Sequence, residues 1–162
     1  GQETAKMFSA LGCQIQYYDP SDPKVAENLS QIAVKNGKEE LLRTSDIISI
    51  HVPLIDQTKN LISMQDFSLM KKTSIFLNAS RGGVVDEHAL SQAIQDKKIK
   101  GAAIDVFTSE PPEKNNPLLN LPDEFRDNII LTPHIGGITA QSWSELFSRS
   151  WINIQRLSLI HI

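Results

Sequence analysis

The sequence has very little cysteine, no long apolar run and no excess of positive charge. Its 162 residues include one cysteine, Cys13, which excludes a framework of disulfides and favours a reducing, cytoplasmic location. No apolar stretch approaches the ~20 residues of a membrane-spanning helix, and no signal-peptide pattern is visible. The formal net charge of −3 argues against nucleic acid or an anionic membrane as a partner. What remains is a globular protein that binds something small.

The most informative segment is Ser74–Glu87, SIFLNASRGGVVDE. Its apolar start is short enough for a buried strand, and Asp86 stands where a helix N-cap would, ahead of a helical pattern of apolar residues. The segment therefore predicts a strand, a loop that carries Arg81, and a helix. In open α/β sheets, ligands bind at this end of a strand, and an arginine there can hold a carboxylate through two parallel hydrogen bonds.

Strands and helices alternate along the rest of the chain. Apolar patterns predict strands at 13–18, 46–52, 102–107 and 128–131, and helices at 2–11, 38–44, 64–70 and 140–156. Residues 21–37 are predicted to be irregular, with a short strand near 32–34. Ser63 and Asp66 form a predicted capping pair. This alternation indicates an α/β fold with a mostly parallel, doubly wound sheet.

Polar residues that could take part in catalysis or binding follow five successive predicted strands. Parallel strands joined by right-handed crossovers place their carboxyl ends on one edge of the sheet, so we expect these residues to gather there. They are Asp19, His51, Arg81, Asp105 or Glu110, and His134.

The first of these residues fits a dinucleotide-binding unit. A carboxylate about 20 residues beyond a glycine-rich turn binds the ribose hydroxyls in such units, and Gly1 lies 18 residues before Asp19. Gly1 would then be the last glycine of the turn. An aspartate after a strand is also a common turn residue, so this pattern alone leaves both interpretations open.

The remaining residues suit hydride transfer to a carbonyl. Such a reaction needs a proton donor, which histidine provides near neutral pH, and a neighbouring carboxylate favours the imidazolium. An arginine can hold the carboxylate of a 2-keto acid. Taken singly, each has a simpler explanation: Arg81 is an ordinary turn arginine, Glu110 an exposed loop acid and His134 a structural histidine.

Together, the motifs resemble one family. HVP after the third predicted strand, NASRGGVVDE, AAIDVFTSEPP and ILTPHIGG look like the nucleotide-binding domain of the D-isomer-specific 2-hydroxyacid dehydrogenases. The similarity runs from Gly1 to about Gln155. It implies a Rossmann-type, doubly wound, mostly parallel α/β sheet and an NAD-dependent oxidoreductase of D-2-hydroxy acids.

The resemblance also implies roles for individual residues. Arg81 would bind the substrate carboxylate and carbonyl oxygen, His134 would be the general acid in reduction and the general base in oxidation, and Glu110 would pair with it. Asp19 would hold the adenosine ribose and favour NAD over NADP. Asp105 would lie near the nicotinamide carboxamide. No metal is expected. The cofactor-binding positions are Gly1, Asp19, Pro20, His51, Val52, Pro53, Thr58, Ala79, Ser80, Arg81, Asp105, His134, Gly136 and Gly137.

Both ends of the sequence depart from the family pattern. We expect residues 1–157 to be a dinucleotide-binding domain truncated at its first strand, with 158–162 an unassigned tail and the substrate domain outside this chain. The phosphate-binding loop is reduced to Gly1. This polypeptide by itself is therefore expected to have little or no turnover.

Three rival functions share the framework. Formate- or phosphite-type dehydrogenases are one group, and the formate enzymes carry glutamine at the position of Glu110. A corepressor-like protein that senses NAD(H) without turnover is another possibility, and the triad alone does not exclude it.

Family resemblance further implies a homodimer. Trp143, Phe147 and Trp151, spaced at i, i+4 and i+8, could form its interface or could pack on the sheet.

Overall fold

A computed structural model describes residues 1–20 and 29–160 of the chain, with side chains described up to residue 156. The predicted irregular segment 21–37 thus lies partly outside the described residues, as does the end of the predicted tail. The helices are α1 (Gln2–Ala10), α2 (Lys38–Thr44), α3 (Met64–Leu69), α4 (Glu87–Gln95) and α5 (Ala140–Ile160). The strands are β1 (Ile15–Tyr17), β2 (Ala33–Lys35), β3 (Ile47–Ile50), β4 (Ile75–Asn78), β5 (Gly101–Ile104) and β6 (Ile129–Leu131).

All strand pairs are parallel, as predicted, but they form two sheets rather than one. β1 pairs with β2, and a four-stranded sheet has the order β3-β4-β5-β6. Within the described residues β1 and β3 are both edge strands, as are β2 and β6 on the other sides of the two sheets. The side chain of Gln16 in β1 donates hydrogen bonds to the hydroxyl groups of Thr44 and Ser45, which precede β3.

The register of the larger sheet brings the carboxyl ends of its strands together. Ile50 is paired with Asn78, Asn78 with Ile104, and Ile104 with Leu131. The four loops that follow therefore leave from one edge, and they carry His51, Arg81, Glu110 and His134. The predicted gathering of these loops is confirmed.

The core lies under the four-stranded sheet and is formed by α3, α4 and the central strands. Phe67 of α3 and Phe76 of β4 are fully buried, and their rings meet edge to face with centroids 5.2 Å apart. The predicted helix starts are confirmed: Ser63 donates its backbone N–H to Asp66, and Asp86 accepts from two backbone N–H groups of α4. Buried packing and caps together fix where α4 begins, just beyond the Arg81 loop.

Several strand ends differ from the prediction by one to three residues, and two of these differences have a visible cause. β5 ends at Ile104 rather than at residue 107, because the Asp105 carboxylate turns to bind the loop after β6. Asn128 belongs to a 3-10 helix, Asp123–Asn128, and its side chain donates to the carbonyl oxygen of Lys100.

The last helix, α5, stands apart from the sheets. From Ala140 to Arg156 its side chains are exposed, except for the half-buried Ser142. Trp143 and Phe147 stack on each other with centroids 5.7 Å apart, and Trp151 is 63% exposed. The alternative that these aromatic residues pack on the sheet is therefore wrong. Among the described helices, none is both long and apolar enough to cross a membrane.

Candidate active site

The loop after β4 is organised by Asn78. This side chain is 2% exposed, and its oxygen accepts hydrogen bonds from the backbone and hydroxyl groups of Ser80, at 3.1 and 2.8 Å. Its amide nitrogen donates to the carbonyl oxygen of Arg81 at 3.1 Å. The guanidinium of Arg81 is exposed and donates to the carbonyl oxygen of Ser80. The buried amide thus holds the backbone that presents Arg81 at the sheet edge.

A close contact between two loops follows immediately. A Cβ atom placed on Gly82 would overlap the carbonyl group of Phe107, so only glycine allows the two backbones to meet here. Phe107 begins the loop that carries Glu110. The loops of Arg81 and Glu110 are thereby packed against each other.

Glu110 and His134 form the central pair. One carboxylate oxygen of Glu110 lies 2.7 Å from Nδ1 of His134, and the other accepts the backbone N–H of Phe107 at 3.0 Å. The hydrogen bond from His134 and that from Phe107 lower the pKa of Glu110, and the charge of Arg81 adds to the effect. Both side chains remain partly exposed, His134 at 45% and Glu110 at 38%, so a small molecule can reach them. The three predicted residues are brought to one place.

The loop that carries His134 is held by Asp105. One oxygen of this carboxylate accepts from the Thr132 hydroxyl and from the Ile135 N–H at 2.9 Å, and the other accepts from the Gly136 N–H at 2.8 Å. Burial raises the pKa of Asp105, but the hydrogen bonds from Thr132, Gly136 and Ile135 outweigh it and lower the pKa. Asp105 is 7% exposed. Both carboxylate oxygens thus accept hydrogen bonds from this chain. The role near the nicotinamide that the sequence predicts for Asp105 remains a prediction.

His134 itself has a left-handed backbone, with φ of 55°. Such a φ is uncommon for a residue other than glycine and marks a position that its surroundings enforce. The hydrogen bonds that the backbone N–H groups of the next two residues, Ile135 and Gly136, donate to Asp105 supply that constraint.

Several predicted cofactor residues line the edge on either side. Gly1 begins α1, and a Cβ atom on it would lie 3.2 Å from Cβ of His51. Nε2 of His51 is 2.9 Å from the Ser49 hydroxyl. Asp19 and Pro20 follow β1, and thus belong to the smaller sheet.

The loop after β3 is closed by Thr58. Its hydroxyl donates to the carbonyl oxygen of Pro53 at 2.6 Å and accepts the N–H of Ile55 at 2.9 Å. Val52, half-buried, packs against the core. Thr58 therefore shapes the loop that carries Val52 and Pro53.

The remaining predicted positions flank Asp105. A Cβ atom on Gly136 would lie 2.8 Å from an oxygen of Asp105 and 4.0 Å from Cβ of Ala79. Ser80 is fixed by Asn78, and Gly137 has open space around it. A flat ligand could approach the backbone here, since glycine leaves the surface low. This edge combines glycines that leave the backbone open to a ligand with the partly exposed pair of Glu110 and His134. Such an arrangement is compatible with a dinucleotide cofactor.

Sequence reasoning missed residues that hold the site rather than form it. They are Asn78, Gly82, Thr132, Asn116 and Glu87; the Glu87 carboxylate accepts the Thr108 N–H and the Asn116 amide, each at 2.7 Å. Polar residues at or just after the ends of β4 and β6 were the available signal for Asn78 and Thr132. Glu87 gave no such signal, because an acid in the first turn of a helix is ordinary.

Comparison with known proteins gives consistent results. The sequence profile described as D-isomer specific 2-hydroxyacid dehydrogenase, NAD binding domain, matches residues 1–136. D-3-phosphoglycerate dehydrogenase from Methanocaldococcus jannaschii is 43% identical over 143 residues, which cover 88% of this chain and 26% of that protein. The enzyme of the same name from Haemophilus influenzae is 42% identical over 146 residues, covering 90% and 35%.

A solved structure extends this similarity to the fold. D-lactate dehydrogenase from Aquifex aeolicus, complexed with NAD and lactic acid, is 30% identical and has a TM-score of 0.87, covering 98% of this chain and 50% of that one. The chain spans about a quarter of the Methanocaldococcus relative and about a third of the Haemophilus relative.

Proposed function

Because the chain belongs to the D-isomer-specific 2-hydroxyacid dehydrogenase family, through its NAD-binding domain, we propose that it is the cofactor-binding part of an NAD-dependent dehydrogenase. The whole enzyme would transfer a hydride between nicotinamide and C2 of a D-2-hydroxy acid or 2-keto acid. The observation that carries this proposal is the 2.7 Å contact between Glu110 and His134. The loop that carries Glu110 is packed against the loop that carries Arg81.

Proton transfer in this proposal is assigned to His134. NAD, when bound, supplies the hydride acceptor and, reduced, the hydride donor. In reduction the imidazolium of His134 gives its Nε2 proton to the carbonyl oxygen, while Nδ1 stays bonded to Glu110. The Glu110 carboxylate holds the ring through Nδ1, which leaves Nε2 as the nitrogen that exchanges a proton with the substrate.

Substrate orientation is assigned to Arg81. A 2-keto acid offers a carboxylate and an adjacent carbonyl oxygen, both of which suit the planar donors of a guanidinium. A proton donor and an anion clamp at adjoining positions orient the carbonyl carbon for attack from the cofactor side.

Cofactor binding is assigned to the strand-end positions on both sheets. Asp19 would bind the ribose hydroxyls and favour NAD, since a 2′-phosphate would meet its negative charge. Ala79, Ser80 and Asp105 would lie near the nicotinamide. Gly1, Pro20, His51, Val52, Pro53, Thr58, Gly136 and Gly137 would line the rest of the cleft.

The domain assignment is likewise a proposal. β1 and β3 are edge strands, and Gln16 of β1 is hydrogen-bonded to Thr44 and Ser45 just before β3, which supports residues 1–157 as a dinucleotide domain truncated at its first strand. A substrate domain would come from outside this chain. The identity of the 2-hydroxy acid, for which 3-phosphoglycerate is one candidate, would be set there. The full-length protein would be a cytoplasmic homodimer, and the exposed aromatic side chains of α5 are available to its interface.

The test uses the full-length protein with NADH and a panel of small 2-keto acids. We expect steady-state reduction of at least one keto acid, and calorimetric binding of NADH in preference to NADPH. Binding of NADH without turnover of any keto acid would instead favour the corepressor-like alternative. No binding of either nucleotide by the folded full-length protein would overturn the proposal.

A further inference from the structure

Glu87 lies in the first turn of α4 and is hydrogen-bonded to the loop that carries Glu110 on both sides of that residue, at Thr108 and at Asn116. One carboxylate oxygen accepts the backbone N–H of Thr108 at 2.7 Å, and the other accepts the side-chain amide of Asn116 at 2.7 Å. Asn116 is 8% exposed, and its own oxygen accepts the N–H of Leu118 at 2.9 Å. These contacts span 21 and 29 residues of sequence.

The first contact reaches the acid–base pair in two steps. Thr108 adjoins Phe107, whose backbone N–H donates to Glu110 at 3.0 Å. Glu110 then contacts His134 through its second oxygen. A displacement of Thr108 would therefore move the backbone group that orients the Glu110 carboxylate.

Glu87 also belongs to the same rigid segment as Arg81. Asp86 caps α4 through two backbone N–H groups, and Gly82 brings the Arg81 loop against the carbonyl group of Phe107. The segment that presents Arg81 is thus tied by Glu87 to the segment that presents Glu110.

We propose that Glu87 is a positioning residue that sets the placement of the Glu110–His134 pair relative to Arg81. This inference rests on the proposed dehydrogenase function. Glu87 touches neither substrate nor cofactor in it; it acts through the loop that carries Glu110.

The two contacts require a carboxylate. Thr108 and Asn116 both present N–H groups to Glu87, so both of its oxygens must accept. A glutamine at this position has one acceptor and one donor, and its NH₂ group would face an N–H group. The variant Glu87→Gln keeps the shape of the side chain but loses one of the two ties.

Asn116 offers a compensating change. In the double variant Glu87→Gln with Asn116→Asp, the introduced amide can accept from the Thr108 N–H and donate to the introduced carboxylate. That carboxylate can still accept the Leu118 N–H. The net charge of the protein is unchanged, and both ties are restored, with donor and acceptor exchanged only in the contact between residues 87 and 116.

The experiment compares these variants in the full-length enzyme, as kcat/KM for keto-acid reduction over a range of pH. E87Q should lower kcat/KM by about 10-fold or more, because sub-ångström to ångström displacements of catalytic groups have effects of this size or larger. The pH profile of kcat/KM should also change, with KM for NADH little changed. E87Q/N116D should recover both the rate and the pH profile, and N116D alone, which opposes two carboxylates, should not.

Glu113→Gln is the matched control, since Glu113 is an exposed acid on the same loop. It should behave as the wild type does. Wild-type kcat/KM and pH profile in E87Q would overturn the inference while leaving the proposed function intact. A double variant that is folded, with an unchanged melting temperature, but no more active than E87Q would also overturn it. An inactive wild-type enzyme would overturn the proposed function and the positioning role together.

Discussion

The strand ends of the larger sheet and those of the smaller sheet are built differently. The ends of β4, β5 and β6 are anchored, because Asn78 and Asp105 are buried and their hydrogen bonds fix the loops of Arg81 and His134. The strand end of β1 has a less buried base, since none of the nine residues of α1, all of them described, is buried and β1 is half-buried throughout. The proposed chemistry is therefore organised by buried side chains of the larger sheet, whereas the proposed ribose-binding side at Asp19 follows a strand with no buried residue.

The contrast has a physical basis in burial. The larger sheet encloses Phe67, Phe76, Leu90 and Ile94, which are at most 2% exposed, and loops on such a base can hold side chains in place. The strands β1 and β2 have half-buried or exposed residues throughout. Variants at the strand ends of the larger sheet should thus alter catalysis in the full-length enzyme, whereas a variant beneath that sheet should alter mainly stability.

The largest effect is expected for Arg81→Lys. Lysine keeps the charge but loses the planar pair of donors, so keto-acid kcat/KM should fall by about 10²-fold or more, the scale of removing one positioned catalytic donor. Steady-state kinetics measures the effect. Arg126→Lys, at an exposed arginine paired with Asp123, is the control and should leave kcat/KM unchanged. A similar mild effect for both variants would remove Arg81 from the substrate site.

A smaller effect is expected for Gly82→Ala. The added methyl group overlaps the backbone of Phe107, so the Arg81 and Glu110 loops must separate. Overpacking of this kind costs about 1–3 kcal/mol of unfolding free energy, and kcat/KM should fall with it. Denaturant unfolding and kinetics measure the two effects. Gly37→Ala, where an added Cβ meets nothing within 4 Å, should be tolerated. Equal stability of the two variants would contradict the close packing of the loops.

The smallest effect is expected for Asp66→Asn, under the sheet rather than at its edge. Asp66 pairs with Lys38 at 2.7 Å and caps α3, so its loss should cost about 1–2 kcal/mol of stability near neutral pH, with kcat/KM little changed. Asp46→Asn, which breaks an exposed pair with Lys71, should cost less.

The pH dependence of that loss has a defined sign. Burial raises the pKa of Asp66, but hydrogen bonds from Lys38 and Ser63 outweigh it and hold the pKa below its ordinary value of 3.8. A lowered pKa in the folded state stabilises the protein above the unfolded pKa and ceases to do so as the pH falls through the folded one. The stability gap between wild type and D66N should therefore close in acid. A gap that stays constant down to the lowest pH at which the protein folds would contradict this.

Local patterns predicted the framework of the site well. The apolar patterns at 46–52, 75–77 and 128–131 located three strands of the larger sheet to within two residues, and the N-cap at Asp86 located α4. Once strands are known to be parallel, their carboxyl ends must share an edge, so the convergence of Arg81 and His134 followed from topology alone.

The supporting contacts were beyond such reasoning. Asp105 was predicted to face the cofactor, yet its bonds run to a loop 30 residues later, and those of Glu87 run to residues 21 and 29 positions away. Periodicity and capping rules describe neighbours along the chain, so contacts between loops leave no local trace. The division into two sheets was unpredictable for the same reason, because pairing of β1 depends on what lies beside it.

The most direct test of the central claim is the pH profile of keto-acid reduction in wild-type enzyme and in Glu110→Gln, both full length. The claim is that Glu110 holds the His134 ring for proton transfer through the contact at Nδ1. Glutamine keeps the shape of the side chain but loses the charge at this contact, so kcat/KM should fall and its pH profile should change, while Glu113→Gln keeps the wild-type profile. Superimposable profiles for wild type and E110Q would show that the 2.7 Å contact has no part in proton transfer.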